Sequence, residues 1–170
     1  MRPKLIKLAL LTVFITFFSS CEEKLCGCTI VDAVVNIMVT DSENRNLFDP
    51  STPGYFKEED IRIYFLRDGK REEAYAANLD NPRYFSIDQS GTNNEYVMRL
   101  FPDLETHGSD VTSTIIKWND TDEDTVDCEI RSTDNSTIIT KVWYNDVLEY
   151  DQVNGTTSAA HESRLINVHK

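Results

Sequence analysis

Basic residues are scarce in this chain. Its 170 residues hold 17 Lys+Arg against 29 Asp+Glu, a formal charge of −12. Three of those bases, Arg2, Lys4 and Lys7, lie in the first 20 residues, which hold no acid; the remaining 150 carry 14 bases against 29 acids and stand at −15. Such a surface repels phosphate backbones, whose binding rests on neutralisation by Lys and Arg, so no nucleic acid is expected as a partner. It argues equally against a polybasic grip on anionic lipid. Long apolar runs are missing too. The most apolar stretch, Leu8 to Phe18, is 11 residues interrupted by Thr12 and Thr16. As a helix it would rise about 16 Å, short of a hydrocarbon core of roughly 30 Å. No segment of ten or more residues keeps a 3.6-residue apolar period, which argues against a helical domain. Catalytic signatures are also lacking. There is no Gly-x-Ser-x-Gly elbow, no His-Glu-x-x-His helix and no phosphate loop, so no catalytic residue and no cofactor is assigned.

What is present begins with aromatic and aliphatic residues. A hydrophobic content of 40% with 8 Phe, 7 Tyr and 2 Trp is too rich for a disordered chain. About 150 residues suffice for one domain with a real core. Ahead of that domain stands an ordered series: a basic segment (Arg2, Lys4, Lys7), the apolar Leu8–Phe18 stretch, then Ser19 and Ser20. Basic, apolar, small is the anatomy of a secretory signal over residues 1–20.

The residue after the small pair is Cys21, and Phe18-Ser19-Ser20-Cys21 resembles the lipobox of bacterial lipoproteins. Ser19 and Ser20 match its small positions, while Phe18 stands where leucine is usual. The resemblance implies that Cys21 receives a diacylglycerol on its thiol and a further acyl chain (a palmitate-type modification) on its new amino group. Each buried methylene contributes about 0.8 kcal/mol and stable attachment takes more than one chain, a condition this modification meets alone. Glu22-Glu23-Lys24 looks like the acidic stretch that follows the cysteine in Bacteroidota-type lipoproteins sent to the outer membrane. The expectation is an outer-membrane lipoprotein, on the periplasmic or the cell-surface side, with residues 21–29 as lipidated tether and 30–170 as one domain.

Three other cysteines occur, Cys26, Cys28 and Cys128. Outside the cytoplasm a disulfide is the default. A bridge across the single Gly27 would be strained, so Cys128 is expected to pair with Cys26 or Cys28. Closing a loop of roughly 100 residues would add up to about 4.7 kcal/mol in the chain-entropy model. Cys26-Gly27-Cys28 is too closely spaced for a zinc pair, and His107, His161 and His169 are scattered.

The domain reads as strands and turns. Cys28 to Thr40 is rich in β-branched residues, with Val31, Ala33, Val35, Ile37 and Val39 alternating onto one face. Ile61 to Tyr75 is a hairpin around Asp68-Gly69. Tyr84–Asp88 and Glu95–Phe101 are short strands, the second ended by Pro102. Val111–Trp118, Thr125–Ser132 and Thr137–Tyr144 form an antiparallel meander. Beyond Tyr150 the chain turns small and polar, and Arg164–His169 is a last strand or a tail. Eight or so strands at this spacing point to an antiparallel β-sandwich, of immunoglobulin- or transthyretin-like architecture.

Two clusters suggest chemistry. Asp120, Asp122 and Asp124 alternate as the first ligands of a calcium loop would, but Thr125 and Arg131 occupy the positions where an EF-hand needs Gly and Glu. The composition favours a solvated hairpin turn there and no metal. Trp118, Trp143 and Tyr144, with Tyr64 and Tyr150, lie in or beside strands; on an outer face they would stack on sugars or anchor a protein, and in the core they would serve packing. Asn119, Asn135 and Asn154 begin N-glycosylation-type tripeptides, which mark exposed turns. The leading expectation is a non-enzymatic binding module for a glycan or protein ligand. A structural component pairing through its sheet edges comes second and a hydrolase third.

Overall fold

A computed structural model describes residues 29–90, 95–154 and 164–170. The signal segment, Cys21, Cys26 and Cys28 lie outside the described residues. Eleven strands are described: β1 (Ile30–Asp32), β2 (Val35–Thr40), β3 (Arg62–Arg67), β4 (Lys70–Glu73), β5 (Phe85–Ser90), β6 (Glu95–Leu100), β7 (Val111–Lys117), β8 (Glu123–Thr133), β9 (Ser136–Tyr144), β10 (Val147–Asp151) and β11 (Leu165–His169). Among the described residues there is no helix long and apolar enough to cross a membrane.

The strands form two sheets. The larger runs β1-β9-β8-β7-β3-β4, with β10 also on β9, and the smaller runs β11-β2-β6-β5. One apolar cluster joins their inner faces: Val35, Ile37, Val39, Met98, Leu100 and Ile166 come from the smaller sheet, and Ile63, Ile116, Val126, Cys128 and Val142 from the larger. This is a β-sandwich. The alternation expected along β8 is present, with Val126, Cys128 and Ile130 buried between the partly exposed Thr125, Asp127 and Glu129.

Turn chemistry sets the local pairings. Asp68 and Gly69 both take positive φ, 49° and 72°, the two-residue turn that matches strand twist, and β3 pairs with β4 from Tyr64–Glu73 to Arg67–Lys70. Asn145 and Asp146 do the same between β9 and β10, at 46° and 67°. That second hairpin was not expected from sequence, because the exposed Val147, Leu148 and Glu149 break the apolar alternation.

Two expectations need correction. The stretch from residue 28 to 40 is not one strand. Chain pairing changes at Ala33-Val34: β1 lies parallel on β9 in the larger sheet, and β2 joins β6 and β11 in the smaller. Ala33, Val35, Ile37 and Val39 are buried as the alternation requires, whereas Val31, before the crossing, is 62% exposed. Nor are the sheets wholly antiparallel, since β1–β9 and β11–β2 are parallel pairs. Both join strands distant in sequence, so no hairpin turn dictates their direction. Leu165 to His169 is a true strand, held along β2 from Asn36 to Thr40.

Ile37 is fully buried, opposite Ile166 on one side and Met98 on the other. Replacing Ile37 with Ala should cost about 2–5 kcal/mol by lost burial and the cavity left behind, read as a lower urea midpoint with an unchanged slope.

Candidate functional site

The crossing at Ala33-Val34 opens a groove. Val31, Ala33 and Val34 form one side, Phe65 and Arg67 of β3 another, and the segments Leu79–Tyr84 and Phe101–Glu105 close the rest around about 630 Å³. That size lies within the range of small-ligand sites. Its walls are mostly aliphatic and aromatic. Phe65 and Tyr84 meet edge to face with ring centroids 5.0 Å apart.

Backbone hydrogen bonds shape the far side. Ala76 N–H donates to Pro82 O at 2.8 Å, and Tyr84 N–H to Asn81 O at 3.0 Å, folding the loop back on itself. Tyr84 takes a positive φ of 60°, and its carbonyl accepts from Phe101 N–H at 2.9 Å. This ties the loop to the segment that leaves β6.

The polar part of the groove is built on Asp103, which is 3% exposed. Arg67 grips it side-on with two donors: Nε donates to Oδ2 and Nη2 to Oδ1, each at 2.8 Å. Glu105 at 3.3 Å and Glu72 at 3.7 Å attend the same guanidinium, whose carbon lies 5.1 Å from the centre of the Phe65 ring. Hydrogen bonding to Asp103 holds Arg67 charged well above its usual range. Two inward threonines of β7 fix the Asp103 backbone: Thr114 Oγ1 accepts from its N–H at 3.1 Å, and Thr112 Oγ1 donates to its carbonyl at 2.7 Å. Thr112 and Thr114 are themselves buried, so each hydroxyl needs such a partner.

The residues singled out from sequence lie elsewhere. Trp118 is fully buried and Tyr144 is 6% exposed, so neither offers a ring to a sugar or a partner. Tyr150 is buried as well, whereas Trp143 and Tyr64 are half-buried, with Lys141 Nζ 5.9 Å from the Trp143 ring. Trp118 stacks on Phe56 at 5.1 Å and meets Phe48 at 5.9 Å, pinning the 41–60 connection to the core.

The three aspartates do not converge on an empty position. Asp120 is 98% exposed at its side chain and pairs with Lys117 at 2.9 Å. Asp122 and Asp124 share the ammonium of Lys170, at 2.7 and 2.6 Å. Among the described residues no group of His, Cys, Asp and Glu is arranged to hold a metal ion. The solvated turn expected here does not extend to Asp124, which is 7% exposed, and the cation that it and Asp122 gather is a lysine. Asp124 is a structural centre. Its Oδ2 accepts from Trp118 Nε1 at 2.6 Å and Tyr144 Oη at 2.5 Å, and its Oδ1 from Asn145 Nδ2 at 2.8 Å. Burial alone would raise its pKa; the bonds from Asn145, Lys170, Tyr144 and Trp118 outweigh that and hold it below the ordinary 3.8. Burial, then the bond to Asp124, pushes the Tyr144 phenol far up.

Cys128 is a free thiol, fully buried in the core. The expected bridge to Cys26 or Cys28 would require a tether cysteine to enter that packed interior, where Cys128 instead faces Val142 across the pair of strands. Burial, reinforced by the charge of Asp127, pushes its pKa up to about 12.

No family model, no curated protein and no solved structure matches this chain. The site therefore rests on its own chemistry.

The groove was missed in sequence because its lining comes from segments spread between Val31 and Glu105. One signal was present. Thr112 and Thr114 sit on the inward parity of a strand that also carries Ile116, and two inward hydroxyls call for buried acceptors or donors nearby.

Two predictions follow from these placements. Asp124 has a folded-state pKa below its unfolded value, so its stabilisation is present above about pH 4 and is lost as pH falls through the folded pKa. Asp124→Asn should therefore lose about 2 kcal/mol at neutral pH, and its urea midpoint should decline less than that of the unaltered protein between about pH 5 and pH 2. Cys128 should resist a thiol-specific reagent such as dithionitrobenzoate in the folded protein and react at once in denaturant.

Proposed function

We propose that this chain is a lipid-anchored, non-enzymatic binding module of a bacterial cell envelope, held at the outer membrane through Cys21, and that the groove beside the β1–β2 crossing takes its ligand. The observation that carries the reading is the groove itself: about 630 Å³, mostly apolar walls, and a half-buried arginine paired with a buried carboxylate whose backbone is fixed by two threonines of β7. Val31 lines it, ten residues beyond Cys21. A fully extended chain of that length reaches at most about 35 Å, so the ligand would be taken close to the membrane surface.

Assembly through sheet edges is the weaker reading. On the larger sheet one edge is β4, whose Lys70, Arg71, Glu72 and Glu73 are all exposed and charged, and the other is divided between β1 and β10 on β9. Charged, short and interrupted edges resist further strand pairing. Of the aromatics singled out from sequence, Trp143 and Tyr64 alone are left for a glycan platform, and they stand on different strands, β9 and β3.

Two measurements test the proposal. A neutral apolar fluorophore, N-phenyl-1-naphthylamine, should bind the full chain saturably at one site. Val31→Asp combined with Leu79→Asp, two exposed positions on the rim, should weaken it about fivefold or more while leaving the fold intact. Non-saturable binding, or binding indifferent to those changes, would remove the groove from the reading. Separately, Cys21→Ser should move the protein from the membrane fraction to the soluble fraction with its domain still folded; a variant that stays membrane-bound would refute the anchor.

A further inference from the structure

The charges around the groove are unequal. Arg67 is the one basic residue among those lining it, against Asp80, Asp103 and Glu105. Arg67 has little left for a ligand anion, because Asp103 takes its Nε and Nη2, Glu105 lies 3.3 Å from Nη2 and Glu72 lies 3.7 Å from Nη1. Asp103 is consumed in the same pair. What the rim leaves over is negative: Asp80 is exposed with no partner among the described residues, and the Glu105 side chain is 65% exposed, held by Arg67 and, at 3.5 Å, by His107 Nε2. The wall beneath them is apolar, with Leu79 44% exposed beside Asp80, and Tyr84 and Leu104 partly buried.

We infer that the groove selects a small organic cation, an apolar body of ring or chain carrying one amine or amidine, its body against Leu79, Tyr84 and Phe101 and its charge between Asp80 and Glu105. The inference rests on the reading of the groove as the binding site and names the class of ligand it takes. Three arguments support it. The cavity is the size of a small ligand and not of a folded partner. The lining sets one positive side chain, Arg67, against three carboxylates, so an anion would meet an excess of negative charge, while a cation meets it with opposite charge beside a low-dielectric wall, where the attraction exceeds that in bulk water. The chain outside the first 20 residues stands at −15, a field that draws cations in and turns anions away before contact.

The test uses three probes with one ring system: 2-naphthylmethylamine, 2-naphthylmethanol and 2-naphthylacetate. Binding is followed by calorimetry and by NMR shifts of the full chain at about pH 8. The amine should bind about tenfold more tightly than the alcohol, and the acid should bind more weakly than either. Raising salt should shrink the preference of amine over alcohol. Asp80→Asn with Glu105→Gln should bring the amine to the affinity of the alcohol and leave the alcohol unchanged, with shifts still centred on Leu79 and Tyr84. If the three bind alike, or the acid binds best, the cation preference is wrong while the groove stands as a site. If none binds, the groove reading fails with it. Binding of a capped Phe-Lys-Phe peptide without any binding of the free amine would also overturn the small-cation assignment.

Discussion

A carboxylate taken out of water must be paired or it unfolds what holds it, and Asp124 is the place where this molecule meets that demand. It sits at the start of β8, in the larger sheet, and it is satisfied from four directions. Trp118 closes the end of β7, Tyr144 and Asn145 the end of β9 and its turn, and Lys170 follows β11 of the smaller sheet. The same lysine donates its backbone N–H to Thr40 at the end of β2. One buried charge thus ties three neighbouring strands of one sheet to the edge pair of the other. Because Trp118 is held in place by that bond, Phe48 and Phe56 have a fixed surface to pack on, and the long 41–60 connection lies down on the core without regular structure of its own.

The opposite logic governs the groove. Arg67 and Asp103 are also a paired charge, but they stand where apolar packing between the segments is incomplete. The pair fixes the shape of the cavity without filling it, since each partner satisfies the other and the threonines of β7 satisfy the Asp103 backbone. Rigid polar supports behind mostly apolar walls are what a preformed site requires, because a ligand then loses little of its binding free energy to ordering the protein. The crossing of the chain from one sheet to the other at Ala33-Val34 is what leaves room there, for it removes a continuous strand from the edge of the sandwich.

Much of the strand layout was legible in the residues. Asp68-Gly69 marks its hairpin because only a pair tolerant of positive φ suits that turn, and β8 shows its wet and dry faces by strict alternation. The errors share a cause. Alternation tells which side of a strand is buried but not which sheet the strand joins, so the break between β1 and β2 was invisible: Val31 and Ala33 obey the same period and end in different surroundings. β10 was missed because an edge strand with exposed Val147 and Leu148 has no burial pattern to display. Trp118 and Tyr144 look like free aromatics in sequence, and nothing local says that Asp124 will collect both.

Composition and local pattern by themselves settled that the chain is all-β, strongly acidic and one domain in size, since charge, aromatic content and period-two alternation are properties of neighbours in sequence. Folding in three dimensions settled which carboxylates are partners of cations, which cysteine is out of reach, and where a cavity remains. Those outcomes depend on residues far apart along the chain, and their burial, which sets the cost of every charge and hydroxyl, exists only once the two sheets have closed on each other.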